Sequence, residues 1–124
     1  MLGRYDALYF EKDERYIPVI AFFEYILDND FEAYMRELAE EKRIKADDTE
    51  VCFPSNVDSE SDTDYFSNGV KFSFAIEKNF IFKKIISNEE YVKSVELACR
   101  VYYDEHAKNE NIDNYLSIIK RRYL

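Results

Sequence analysis

Carboxylates are the side chains of this sequence best placed to do chemistry. Asp47, Asp48, Glu50, Asp58, Glu60, Asp62 and Asp64 fall between Ala46 and Asn68, a stretch of 23 residues without Lys or Arg. They match seven of the nine net negative charges of the 124-residue chain. Val51-Cys52-Phe53-Pro54 interrupts the acids, and Tyr65-Phe66 follows the last of them. Acids flanked by aromatics suit a surface that lies against a basic partner. The charges speed and orient the encounter, and the rings supply buried area. Asp47, Asp48, Asp58, Glu60, Asp62 and Asp64 are therefore candidate contacts to a partner's basic groups, with Tyr65 and Phe66 as apolar anchors. The alternatives are a solvated acidic loop, burial of Tyr65 and Phe66 in the chain's own core, and binding through acidic helix surfaces instead.

Other chemistries are poorly supported. Asp58, Glu60, Asp62 and Asp64 alternate as in a calcium loop, but the Gly at position six and the Glu at position twelve are missing. Carboxylates are so abundant that no pair singles itself out as the acid and base of a glycosidase. His106 is the only histidine and has no nucleophile near it in sequence, so it reads as a residue near a helix end. Cys52 and Cys99 read as reduced thiols, and with one His they make a poor zinc site. Two Gly leave no phosphate-cradling loop. No catalytic residue, metal or cofactor is expected.

Composition narrows the class. A net charge of −9 argues against nucleic-acid binding, which needs a basic footprint. The 17% aromatic content argues against a disordered chain. The longest apolar run, Ile17 to Phe23, is far short of a membrane span. Met1-Leu2-Gly3-Arg4-Tyr5-Asp6 lacks the basic region and apolar core of a signal peptide, so a cytoplasmic protein is expected.

The elements that position these residues can be read from periodicity. Pro18 starts a helix in which Val19, Phe22, Phe23, Ile26 and Leu27 recur at helical spacing. Asp30 is placed to cap a second, with Phe31, Tyr34, Met35 and Leu38 on its apolar stripe. From Val70 the period becomes two. Val70, Phe72, Phe74 and Ile76 alternate with Lys71, Ser73, Ala75 and Glu77, as in a strand covered on one face. Lys78-Asn79 reads as a turn and Phe80 to Ile86 as the returning strand, making a hairpin over about 69–86; Val51 to Phe53 suggests a short third strand. Ser87 and Glu90 form a capping box that opens a helix to about Ala107. A last helix, about Ile112 to Arg122, places Lys120, Arg121 and Arg122 against its own dipole. The expectation is one α+β domain over 1–124, with amphipathic helices packed on a small antiparallel β-sheet.

The order of these pieces resembles a known family. Phe22-Phe23 on the first helix, Cys52-Phe53-Pro54 after the second, Gly69-Val70-Lys71-Phe72 on the strand, Ile85-Ile86-Ser87 before a helix, and Ala98-Cys99 with Tyr102 on that helix carry the likeness. Over about Ile17 to His106 the chain resembles CdiI, the immunity proteins of contact-dependent growth inhibition (CDI), and among them the ribonuclease toxin group. The family often has Pro after the helix's His, where Ala107 stands here. The resemblance implies a non-catalytic cytoplasmic protein that binds the C-terminal ribonuclease domain of a CdiA toxin, of EndoU or RNase A-like type, as a heterodimer. Family motifs do not supply interface residues, so the candidates remain the acids and aromatics above. The competing class is a small acidic regulatory or ligand-binding α+β domain without a toxin partner, and an enzyme comes third.

Overall fold

The computed structural model describes residues 14–56, 66–77 and 80–123. A turn of 3-10 helix over Glu14–Tyr16 leads into α1 (Ile17–Leu27). Pro18 lies in the first turn of α1, where its missing N–H leaves no bond unmade. Val19, Phe22, Phe23 and Ile26 are completely buried, as their spacing predicts. Ile20 is buried too, because α1 packs against the sheet and against helices at once.

The chain turns into α2 (Phe31–Ala39) at Asp30, whose φ of 55° is left-handed. The expected side-chain cap is absent; Asp30 contributes instead a backbone conformation that few residues other than glycine adopt. The C-terminal end of α2 is closed from far away in sequence. Arg122 Nη1 donates to the Ala39 carbonyl at 2.7 Å and lies 3.6 Å from the Glu41 carboxylate, which also accepts from the Tyr123 hydroxyl. A helix leaves its last carbonyls without partners, and here a guanidinium from another helix supplies one.

Four antiparallel strands follow in meander order: β1 (Ile44–Ala46), β2 (Thr49–Cys52), β3 (Val70–Glu77) and β4 (Phe80–Ile86). The β3–β4 hairpin matches the alternation, and β2 overlaps the suggested third strand. β1 has three residues, too few for a period to register. Phe72 reaches the core between Phe22 and Phe23, with ring centroids at 5.7 and 5.8 Å. Each such ring contributes about 1.5–3 kcal/mol by leaving water.

Two residues of β3 depart from the alternation. Lys71, on the face expected to meet water, is 6% exposed, with its Nζ 5.3 Å from the centre of the Phe66 ring. Ile76, on the face expected to be covered, is 50% exposed. An eight-residue strand spans roughly 27 Å against about 16 Å for the eleven-residue α1, so the hairpin outruns its cover. A register shift between Ala75 and Glu77 adds to the departure.

The capping box at α3 (Asn88–Tyr103) is present in full: Glu90 N–H donates to Ser87 Oγ at 3.1 Å, and Ser87 N–H donates to the Glu90 carboxylate at 3.2 Å. Tyr16 donates to the same carboxylate, tying the entry of α1 to that of α3. Burial pushes the Glu90 carboxyl up, but bonds from Tyr16 and Ser87 and the nearby Lys84 charge outweigh it and hold it below the usual glutamate value. A carboxylate so depressed stabilises the fold above its unfolded-state value, and that stabilisation is lost as pH falls through the folded value. Accordingly, Glu90→Gln should lower stability at pH 6 and matter much less near pH 3, as urea unfolding at the two pH values will show.

The helix expected to reach Ala107 stops at Tyr103, where the Tyr103 hydroxyl reaches the Asn109 carbonyl at 3.0 Å and the Asp113 carboxylate at 2.8 Å. Asn109 then caps α4 (Glu110–Tyr123), its Oδ1 accepting from Asn111 N–H at 2.9 Å and Ile112 N–H at 3.2 Å. The basic last turn of α4 does more than complement its own dipole. Lys120 pairs with Glu96 of α3 at 3.1 Å, and Arg122 closes α2 as described.

Tyr91 lies in the middle of this packing, fully buried, its ring edge-on to Phe53 and Tyr123. Its hydroxyl has no hydrogen-bond partner among the described residues. A buried unpaired hydroxyl costs on the order of 1–3 kcal/mol. Tyr91→Phe is therefore expected to raise stability by about 1 kcal/mol, visible as a higher urea midpoint with unchanged slope.

Candidate interaction surface

Asp47 and Asp48 form the turn between β1 and β2, and both are exposed. The turn is stiff. Asp47 has a φ of 55°, Thr49 Oγ1 donates to the Ala46 carbonyl at 2.6 Å, and Ala75 N–H of β3 donates to the Asp48 carbonyl at 2.8 Å. The two carboxylates are thus presented on a fixed backbone. Glu50, the next acid, is engaged by Arg43 at 3.2 Å.

The other candidates are distributed differently. Asp58, Glu60, Asp62, Asp64 and Tyr65 lie outside the described residues, as does the alternating calcium-like spacing. Phe66 is described and is 8% exposed, so it presents almost no area to a partner. Burial in the chain's own fold, the alternative weighed for it, is its observed position.

Asp47 and Asp48 line a hollow of about 390 Å³ on the face of the sheet away from α1. Arg43, Lys45, Lys71 and Lys83 line it as well. The sequence shows no base within the acidic stretch, yet folding brings four beside its first two acids. They arrive from β1 and its approach, from β3 and from β4, and only the pairing register places them together. Of the four, only Lys71 stands on a polar side that the alternation of the sequence shows. The surface is one of mixed charge in which the acids occupy the tip.

Reactive groups are poorly placed for catalysis. The Cys99 thiol is pushed up to about 12 by burial, with Asp113 and Glu96 adding to the effect, so it stays protonated at neutral pH. Cys52 is buried as well. His106 is exposed beyond the end of α3, its ring stacked on Tyr102 at 4.1 Å and its Nδ1 3.0 Å from the Tyr102 carbonyl. Among the described residues no three His, Cys, Asp or Glu side chains converge as metal ligands would. No described helix is long and apolar enough to cross a membrane.

No curated protein shows a significant match to the chain. A family model described as CDI immunity protein matches residues 10–116, and with most of the chain so matched, the protein belongs to the CDI immunity protein family.

Proposed function

We propose that this chain neutralises the C-terminal ribonuclease domain of a CdiA toxin, of EndoU or RNase A-like type, by covering the basic cleft that binds RNA. It acts in the cytoplasm, without catalysis, as one half of a heterodimer. Family membership supplies the toxin partner. The observation that carries the mode of inhibition is the concentration of seven acids in residues 46–68, with Asp47 and Asp48 exposed on a rigid turn. A ribonuclease must gather Lys, Arg or His around RNA phosphates, and a carboxylate surface competes for those groups.

In this reading Asp47, Asp48, Asp58, Glu60, Asp62 and Asp64 meet the toxin's basic side chains, and Tyr65 fills an apolar pocket. Phe66 takes no part in the contact, because its ring is buried. The bases around the hollow make the contact selective, since they repel a toxin whose charges are wrongly spaced.

The test is co-expression with the C-terminal domain of a CdiA protein, taken from the genomic neighbour of this chain where that neighbour encodes one, and with unrelated toxin domains. Intact RNA and survival with the first domain only is the expected result. RNA degradation undiminished by the chain, or a neighbouring toxin without ribonuclease activity, would refute the proposal.

A further inference from the structure

β4 is an unusual edge strand. Among the described residues it pairs on one side only, with β3. At seven residues it is far longer than β1, the opposite edge. Natural proteins shorten, twist or charge such edges, because an open ladder invites another strand. Here Ile81 is 56% exposed and Ile85 47% exposed, on one face and on either side of Lys83. Ile76, at 50%, lies on the same hairpin.

The main chain at these positions faces outward. Ala75 N–H donates to Asp48, on the side of β2, so by antiparallel alternation residues 71, 73 and 75 bond toward β2. Residues 70, 72 and 74 then bond toward β4, where they oppose 86, 84 and 82. The N–H and C=O groups of Ile81 and Ile85 therefore turn to the open edge. Hollows flank this edge at both ends. Ile81 lines the 390 Å³ hollow that holds Asp47 and Asp48, and Ile85 lines a second groove of about 720 Å³ with Val92, Lys93 and Tyr123.

We propose that β4 receives an extended segment of the cognate toxin as a fifth strand, with apolar side chains against Ile81 and Ile85 and no basic one opposite Lys83. Main-chain bonds give such a strand its hold, and the alternate side chains give it selectivity. A second copy of this chain fits worse. Twofold antiparallel pairing that sets Ile81 against the copy's Ile85 also sets Lys83 against Lys83, and like charges directly opposite destabilise a ladder. The toxin fits better because the face bearing Ile81 runs into the hollow of Asp47 and Asp48. A partner held by those acids lies beside β4. The inference rests on the neutralisation reading for its occupant and adds where the toxin's backbone docks.

Proline tests it directly. At an outward N–H of an edge strand proline is tolerated by the fold, yet it removes the donor a new strand needs. Ile81→Pro and Ile85→Pro are each expected to weaken binding of the toxin domain at least 30-fold, with far-UV dichroism and monomeric sedimentation unchanged. In the wild-type complex the amides of residues 81–85 should gain protection from hydrogen exchange. Wild-type affinity in folded proline variants, or no gain of protection along β4, overturns the proposal. So does a wild-type dimer that the proline variants abolish, since the strand's partner would then be a second copy. If the proline variants do not fold, the double variant Ile81→Thr, Ile85→Thr and the exchange data decide. Failure of the wild-type chain to bind the domain at all would strike the neutralisation reading, whereas binding indifferent to β4 would strike only this one.

Discussion

A variant with Asp47, Asp48, Asp58, Glu60, Asp62 and Asp64 changed to Asn or Gln is expected to associate with the toxin domain about 10–100-fold more slowly at low salt. The salt dependence of its association should also flatten. Exposed charges act chiefly on the encounter, whereas a carboxylate desolvated against a toxin base adds about 2–5 kcal/mol when lost, seen in the dissociation rate. Asp47 and Asp48 give the first division of the effect. Both are exposed at a turn, so their amides should leave the fold unchanged. With them neutral, Arg43, Lys45, Lys71 and Lys83 share the hollow with Glu50 alone, and it becomes more repulsive toward a basic partner. The double variant Asp47→Asn, Asp48→Asn is therefore expected to lose more than two rim charges alone imply. Glu50 is left intact in both variants because it holds Arg43. Stopped-flow association at several salt concentrations measures the outcome. An unchanged rate and slope would mean that the acidic segment does not meet the toxin.

The largest effect on stability is expected at a residue with no side chain. Gly69 has a φ of 85°, and a Cβ built there would stand 2.2 Å from the Ile86 carbonyl oxygen and 3.3 Å from an Ile85 methyl. That oxygen belongs to the residue that pairs with Val70 at the mouth of the β3–β4 hairpin, so it cannot retreat without moving the ladder. A left-handed backbone alone costs an alanine about 1–2 kcal/mol. Breaking the end of the ladder adds to it, and Gly69→Ala is expected to cost about 3–5 kcal/mol in all, at the upper end of single substitutions. Urea unfolding measures this, and a loss below about 1 kcal/mol would show that the hairpin mouth yields. Gly69 also shapes the 720 Å³ groove beside Ile85, so a folded Gly69→Ala chain should bind toxin more weakly as well.

Both predictions depend on features that differ in how far the sequence reveals them. The burial of Phe22, Phe23 and Ile26 on α1, the strand over 70–77 and the cap at Ser87 follow from rules that act within a few residues. Side-chain period and local hydrogen bonding decide them before any distant contact forms. The family likeness rested on the same local pieces in order, and the match over residues 10–116 agrees with it. Asn109 is not legible as a cap in the sequence, where the helical pattern runs on to about Ala107 across the turn at Asp104 to His106. Only the tertiary bonds of Tyr103 show where that helix ends.

Charge was legible in amount but not in arrangement. The chain alone determined that residues 46–68 carry seven acids and no bases, and that Val70 onward forms a hairpin with polar and apolar faces. Strand register decided the rest. It turned Asp47 and Asp48 to the tip of a sheet face and drew Arg43, Lys45, Lys71 and Lys83 beside them. Among the described residues it also left Ile81 and Ile85 along an open edge. The reason is one of range. Periodicity reports which side of its own strand a residue occupies, while the neighbours it meets there come from other strands and are set by pairing across the sheet.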